Sequence, residues 1–395
     1  MRKQWNLLPA DETEVKNLQQ ALRIRTVFCR LLVQRGIKTY EAAKGFFRPS
    51  LSDLHDPFLM KDMAKAVERI ELAILRKEKV LLYGDYDVDG TTSVALMLSF
   101  FAQYLPNLDY YLPDRYKEGY GVSDAGIAYA QKRGISLIIA MDCGINAVRQ
   151  VALANRLGID FIICDHHLPK VECPPAVAIL NPKQTDCAYP FKELSGCGVA
   201  FKLVQAFIRK NKRAEQQLWE LLDFVVLSIA CDIVPMVGEN RVLAFYGLRR
   251  LNQTRRIGLQ SLIAASRRPL PLNISDVVFG LGPLINAAGR LADAHTAVKL
   301  MLSQNDYIAR EYAEVLQNRN ARRKDLDVLI GEEAKSLFKQ TPDQENRNTV
   351  VLFQPHWHRG MLGIAASRVA EYFHRPTIIL TESEGKAVGS GRTIP

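Results

Sequence analysis

The sequence predicts an α/β protein: a doubly wound parallel sheet joined by a long helix to a second α/β unit. Three observations carry that prediction. Short apolar runs of strand length alternate with helix-length amphipathic segments between residues 63 and 165, and the connections are brief; such alternation builds a parallel sheet with helices on both faces. Acidic or imidazole side chains stand just past four of the apolar runs, where a doubly wound sheet gathers its ligands. A charge-rich helical stretch from Asp306 to Lys339 then precedes a new strand-helix-strand pattern that opens at Thr349.

At 395 residues the chain is too long for one compact core, so two domains and a small N-terminal piece are expected. The divisions fall at 1–50 for a helical lead-in, 51–300 for the main sheet domain, 301–345 for the connector and 346–395 for the start of the second domain. Lys and Arg number 52 against 42 Asp and Glu, a formal charge of +10. That excess favours a polyanionic partner. The start, MRKQWNLLPADE, has no apolar signal core, and the longest apolar run, Leu221 to Val237, is broken by Asp223 and Asp232. Neither secretion nor a membrane span is expected. Seven cysteines without a CxxC pair fit reduced thiols in the cytoplasm.

Helical periodicity from Val15 to Arg35 marks the lead-in. An amphipathic helix over Met63 to Arg76 precedes the central strand, Val80-Leu81-Leu82, and another helix over Ser93 to Tyr104 follows it. Leu108 to Leu112 reads as a strand before the loop PDRYKEGYG, where Gly119 and Gly121 supply turn freedom. Next come a helix over Ala125 to Lys132, a strand over Ser136 to Met141, a helix over Ala147 to Leu157 and a strand over Asp160 to Cys164. Phe201 to Lys210 and Gln216 to Ala230 are helix candidates, although FVVLSIA at the end of the second suits a buried strand equally well. Thr349 to Phe353 opens the last unit, which ends in GSGRTIP.

The central strand runs into GDYDVDG, so Asp85, Asp87 and Asp89 alternate with other residues. An extended backbone would point all three the same way, and cations would relieve the repulsion. Strand SLIIAM ends in Asp142, strand DFIIC in Asp165-His166-His167, and FVVLSIA leads into Asp232. Carboxylates with imidazole and no thiolate suit Mn²⁺ or Mg²⁺ better than structural zinc. Two such ions can activate water and stabilise the leaving oxygen in phosphoester hydrolysis. Singly, Asp142 reads as a helix cap and His166 as a satisfied polar residue; four such positions past four apolar runs make that unconvincing.

GDYDVDG, MDCGI, CDHHLP and ACDIVP resemble, in order, the motifs of the DHH phosphoesterases. RYKEGYGVS, LNPKQTDCAYPFKELSGCGVAF, GLGPLINAAGRL, WHRGMLGIAASR and GSGRT extend the likeness, from about residue 50 onward, to the branch that degrades single-stranded DNA 5′→3′. The resemblance implies a catalytic DHH domain followed by a DHHA1-like domain. It implies two Mn²⁺ or Mg²⁺ ions on Asp85, Asp87, Asp89, Asp142, His166 and Asp232, with Asp85 also catalytic, and His167 directed at the scissile phosphate. It further implies release of 5′-mononucleotides in repair and recombination, with a single-strand-binding protein and a helicase as companions. Since ligation needs neutral imidazole, activity should fall in acid as His166 protonates. His167 has a second reading, as outer support for the ligands.

Guanidinium matches phosphate bidentately, so Arg290 and Arg392 are candidate clamps, and Arg290 counts as catalytic. Gly389 and Ser390 belong to the same GSGR segment and are candidate substrate contacts, Gly389 and Gly391 through their backbone N–H groups. Arg115, Tyr116 and Tyr120 suit a strand end by charge and stacking, or form an ordinary polar loop. The pairs Arg249-Arg250, Arg255-Arg256 and Arg267-Arg268, with Arg322-Arg323-Lys324, suit a DNA track or simply solvated faces. Trp357 fits the motif, or simply the core.

Two departures stand out. Leu284 occupies a position where the family usually carries Arg, and beyond GSGR the family continues into a Gly-Gly-His segment and an oligonucleotide-binding barrel. The second domain is thus expected to be incomplete, at some cost to strand affinity. Alternatives are a DHH phosphodiesterase for short oligonucleotides or cyclic dinucleotides, against which GPLINAAGR and WHRGMLGI argue, and an inactive nucleic-acid-binding fragment, against which the intact ligand set argues.

Overall fold

The computed structural model describes residues 5–291 and 293–394. Five strands, β1 (Val80–Gly84), β2 (Leu108–Tyr111), β3 (Leu137–Met141), β4 (Asp160–Cys164) and β5 (Ala178–Leu180), form one sheet in the order β2-β1-β3-β4-β5, all parallel. The strands alternate their side chains between two cores. Val80 and Leu82, with Leu137, Ile139 and Met141, face one core, while Leu81 and Tyr83, with Ile138 and Ala140, face the other. Because both faces are covered, β1, β3 and β4 after Asp160 read as continuously apolar, whereas the edge strand β2 is half-buried and carries Asp109. The order reverses at β1, so the crevice for a ligand lies beyond the ends of β1 and β3.

Three helices, α1 (Glu12–Leu22), α2 (Thr26–Val33) and α3 (Tyr40–Phe47), form the N-terminal unit around its own small core. Covering the sheet are α4 (Met63–Leu75), α5 (Val88–Phe101), α6 (Asp124–Arg133), α7 (Val148–Arg156) and α8 (Gly196–Lys210). Helices α9 (Leu222–Cys231), α10 (Gly238–Asn252), α11 (Ile257–Ser266), α12 (Gly282–Leu291) and α13 (His295–Leu302) complete the larger core. Helix α14 (Asp306–Gln340) follows, 35 residues long and capped by Asn305, whose side chain accepts from the Ile308 N–H. Beyond it β6 (Val350–Phe353), β7 (Thr377–Ser383) and β8 (Lys386–Arg392) pair in that order with helix α15 (Leu362–Phe373) against them. The β6–β7 pair is parallel and β7–β8 antiparallel.

Three local points stand out. FVVLSIA, open between helix and strand, lies in the helix α9, with Leu222 to Ala230 all buried. GDYDVDG is not extended throughout: Asp87 caps α5 by accepting from the Gly90 N–H at 3.1 Å, so Asp89 lies in the first helical turn. The short strand β5 and the pairing of GSGR in β8 were not anticipated. No helix among the described residues is long and apolar enough to cross a membrane.

Candidate metal centre

The acidic side chains reach one place by different routes. Asp85 follows β1, Asp142 follows β3, and Asp165, His166 and His167 follow β4, while Asp87 and Asp89 open α5 and Asp232 closes α9. Potential ligand atoms cluster within 4.8 Å in three sets: Asp85, Asp87 and Asp142; Asp89, His166 and Asp232; and Asp142, His166 and His167. The His166 Nε2 lies 3.3 Å from Asp142 Oδ1, 3.4 Å from Asp232 Oδ2 and 3.7 Å from Asp89 Oδ2. Asp142 itself holds a left-handed backbone, φ 58°, a conformation that costs about 1–3 kcal/mol outside glycine and recurs at functional sites.

Most of these atoms are orphans. Both oxygens of Asp85, one each of Asp142 and Asp232 and both ring nitrogens of His166 are buried without a hydrogen-bond partner among the described residues. An unsatisfied buried polar group costs about 1–3 kcal/mol, so a cluster of them suits a ligand that supplies positive charge. Burial, then the neighbouring carboxylates, pushes Asp85, Asp87 and Asp142 above the ordinary carboxylate range, and Asp232 up to about 8. Burial pushes His166 down, which keeps its imidazole neutral. Hard oxygen ligands with one or two neutral imidazoles fit Mn²⁺ or Mg²⁺.

Asp89 differs from its neighbours. It accepts from the Gly196 and Cys197 N–H groups at 2.6 and 2.7 Å and from the Ser228 hydroxyl at 2.7 Å, so the N-terminus of α8 fixes it. Asp165 is the best satisfied of all. Its Oδ1 accepts from the His166 and His167 N–H groups and faces His167 Nδ1 at 2.7 Å, and its Oδ2 accepts from the Ile145 N–H. Although burial alone would raise its pKa, the hydrogen bond from His167 holds it below the usual value and raises that of His167. The far nitrogen of His167 lies 3.1 Å from the Tyr120 hydroxyl, which donates to the Asp142 carbonyl.

Beside the cluster lies a cavity of about 550 Å³ walled by Tyr86, Arg115, Tyr120 and Arg290 on one side and Gly389, Ser390 and Arg392 on the other. Of the predicted substrate contacts, Arg115, Tyr116, Tyr120, Arg290, Gly389, Ser390 and Arg392 line it, whereas Gly391 and His167 do not. Arg115 sits over the Tyr86 ring at 5.0 Å, and burial, then Arg115 and Arg323, lowers the pKa of Arg290. Arg392 is held by the Ser367 and Ser390 hydroxyls at 3.1 and 2.8 Å. Gly389 lacks a side chain for a second reason: a Cβ there would run into the Ile379 carbonyl oxygen.

Sequence reasoning did not single out Asp165, Tyr86 or Arg359. All three stood in quoted segments, Tyr86 in GDYDVDG, Asp165 in CDHHLP and Arg359 in WHRGM, so the signal was present. Arg256 is committed to buried Asp223 at 3.1 Å and covers the Phe224 ring, so it is packing rather than track. Trp357 is buried and donates to Glu333, and Leu284 is a core residue.

A profile of the DHH family, N-terminal domain, matches residues 79–229. The Bacillus subtilis single-stranded-DNA-specific exonuclease RecJ is 40% identical over 393 residues, 99% of this chain and 49% of that protein. Its counterpart in Dickeya dadantii is 37% identical, covering 98% of this chain and 68% of that protein. The chain thus spans about half the length of the Bacillus relative. Among solved structures, exonuclease RecJ bound to manganese aligns over 88% of this chain and 84% of that one, with TM-score 0.77 and 28% identity. RecJ in complex with Mn²⁺ from Thermus thermophilus aligns over 98% of this chain and 54% of that one, with TM-score 0.82 and 26% identity.

Proposed function

This chain belongs to the RecJ family of single-stranded-DNA-specific exonucleases, and on that premise we propose that it is a metal-dependent 5′→3′ exonuclease. It releases 5′-mononucleotides from single-stranded DNA, in repair and recombination. The orphaned buried ligand atoms of Asp85, Asp142, His166 and Asp232 carry the reading: such a cluster is explained by cations and by little else. Asp85, Asp87, Asp89, Asp142, His166 and Asp232 would hold two Mn²⁺ or Mg²⁺ ions. Bound there, the ions supply Lewis-acid stabilisation of phosphate oxygens and make a water more acidic.

The chain's own groups do the rest. His167, oriented by Asp165, donates from its far nitrogen toward the scissile phosphate once Tyr120 yields that nitrogen. Arg115, Arg290 and Arg392 draw the 5′ end into the cavity, Ser390 and the Gly389 backbone add donors, and Tyr86 and Tyr120 offer rings to a base. The cavity is bounded on its far side by β8 and α15, which suits a strand end rather than a passing duplex. A single-strand-binding protein and a helicase are the proposed companions, since each delivers a free strand. Seven unpaired cysteines support a reducing, cytoplasmic location. This reading divides the chain into the lead-in at 1–50, catalytic domain at 51–300, connector at 301–345 and substrate domain from 346.

The test is degradation of labelled single-stranded DNA with Mn²⁺, with a duplex of the same sequence and Asp142→Ala as controls. Mononucleotide release from the single strand alone is expected, lowered at least about 100-fold by the substitution, because even outer partners of a metal site are worth roughly 10–100-fold. Equal rates for the variant would defeat the proposal.

A further inference from the structure

The N-terminal unit buries Val15, Leu18, Cys29, Leu32, Val33 and Ala43 in a core of its own. On its outer side α2 and α3 leave a groove of about 700 Å³ floored by Ile24, Phe28, Leu31, Phe46 and Phe47. Phe28 is 52% exposed, Phe47 55% and Leu31 44%. Contiguous apolar surface of this kind on a folded domain marks an interaction site more often than chance. We propose that this groove docks an acidic amphipathic helix from another protein.

Charge selects the occupant. Arg23, Arg25 and Arg35 line the groove, no carboxylate does, and none of the three has an ion-pair partner among the described residues. On the same unit Arg30 and Lys38 are neutralised by Glu12 and Glu14 at 2.9 and 3.0 Å. Lys16, Lys44 and Arg48 on this unit also lack ion-pair partners among the described residues, but they lie outside the groove, whose own charge is three arginines with no carboxylate among its lining residues. Helix α2 also begins there, at Arg25, with no capping side chain and no acidic residue in its first turn, so its positive end favours a partner's carboxylate.

Shape selects a helix. The walls are faces of α2 and α3 with the α1–α2 connection at Arg23 to Arg25, and no strand lines the groove, so there is no strand edge to extend and recognition proceeds by side chains inserted at i, i+3, i+4 and i+7. Nucleic acid fits less well. Phe46 and Phe47 stand edge to face, with ring planes at 86°, and the Arg241 guanidinium lies 3.6 Å from the Phe46 centroid. Neither arrangement leaves an open stacking platform. Arg241 and Tyr246 also donate to the Phe46 and Pro49 carbonyls, which fixes the groove to the catalytic domain.

The probe is a fluorescein-labelled helical peptide of about 16 residues, with Leu and Phe on one face and Glu on the other, titrated with the whole chain by fluorescence anisotropy. A Lys-for-Glu version and an oligo-dT compete in parallel. Saturable binding of the acidic peptide is expected, absent for the Lys version, and weakened at least about tenfold by Phe28→Ser and by Arg25→Glu. Both changes are on the surface, and nuclease rate and circular dichroism should match the parent. In the titration, four results would overturn the proposal: no saturation, equal binding of the Lys version, insensitivity to both substitutions, or displacement by oligo-dT. A dimer in sedimentation that Phe28→Ser dissolves would assign the groove to a second copy instead, and equally overturn it.

Discussion

Asp165 illustrates how a residue can matter without touching the reaction. Its two oxygens take three backbone N–H groups and one imidazole nitrogen, so the His166–His167 pair is aimed by a single carboxylate. Asp165→Asn keeps the volume but replaces one acceptor oxygen with an NH2 donor that faces other donors. The expected outcome is a roughly 10- to 100-fold drop in exonuclease rate with the Mn²⁺-induced thermal shift retained; loss of both would make Asp165 a general structural residue. The proton balance of the ligands gives a second expectation. Asp232 sits at about 8, raised by burial and then by Asp89 and Asp87. A folded value above the unfolded one, about 3.9, contributes stability that is whole below pH ~4 and lost as pH climbs through ~8. Metal must displace that proton, so Mn²⁺ should raise the melting temperature more at about pH 8 than at about pH 6. An increment independent of pH would show that these carboxylates are not the ligands.

At the scale of elements, the site depends on where α8 begins. Ser195 caps the helix by accepting from the Gly198 N–H, and the next two N–H groups hold Asp89. Gly196 must be glycine because an added Cβ would lie 2.7 Å from Asp142 Cβ and 2.9 Å from its Cα. Gly196→Ala should cost about 1–3 kcal/mol and weaken Mn²⁺ binding by shifting Asp142, measured by denaturation and by metal titration; an unchanged metal affinity would mean that the helix, not Asp142, absorbs the clash. The sequence showed the β1, β3 and β4 runs and the residues past them, because a strand buried on both faces leaves an unbroken apolar signature and its C-terminal end is a fixed address. It did not show that α9 is a helix, since an element apolar on every side has no period to detect. Nor did it show the α5 cap: Asp87 in an acidic run looks extended until Gly90 offers its N–H. Ser228 was equally silent, its bond to Asp89 spanning 139 positions.

For the whole molecule, the question is how two sheets that share no strand hold one cleft. Helix α14 enters both cores, with Ala309, Ala313 and Leu316 in the larger and Ile330, Ala334 and Phe338 in the smaller. A single helix fixes separation but leaves room to bend. A second tie is at the cleft itself: the Tyr116 hydroxyl donates to the Arg290 carbonyl, and Arg359 donates to the Tyr116 carbonyl at 3.3 Å. The loop from 113 to 121, turned by Gly119 and Gly121 at φ 86° and 82°, therefore joins both halves of the cavity wall. Tyr116→Phe removes the hydroxyl donor and keeps the ring beside His358. A net hydrogen bond is worth about 1 kcal/mol, so KM for single-stranded DNA should rise about fivefold with kcat and the Mn²⁺ shift little changed. That split follows because the tie aligns Arg290 with Arg392 and leaves the carboxylates untouched. A fall in kcat at constant KM would instead place Tyr116 in the chemistry, and the alignment of the two halves would then rest on α14 and the Arg359 bond to the Tyr116 carbonyl.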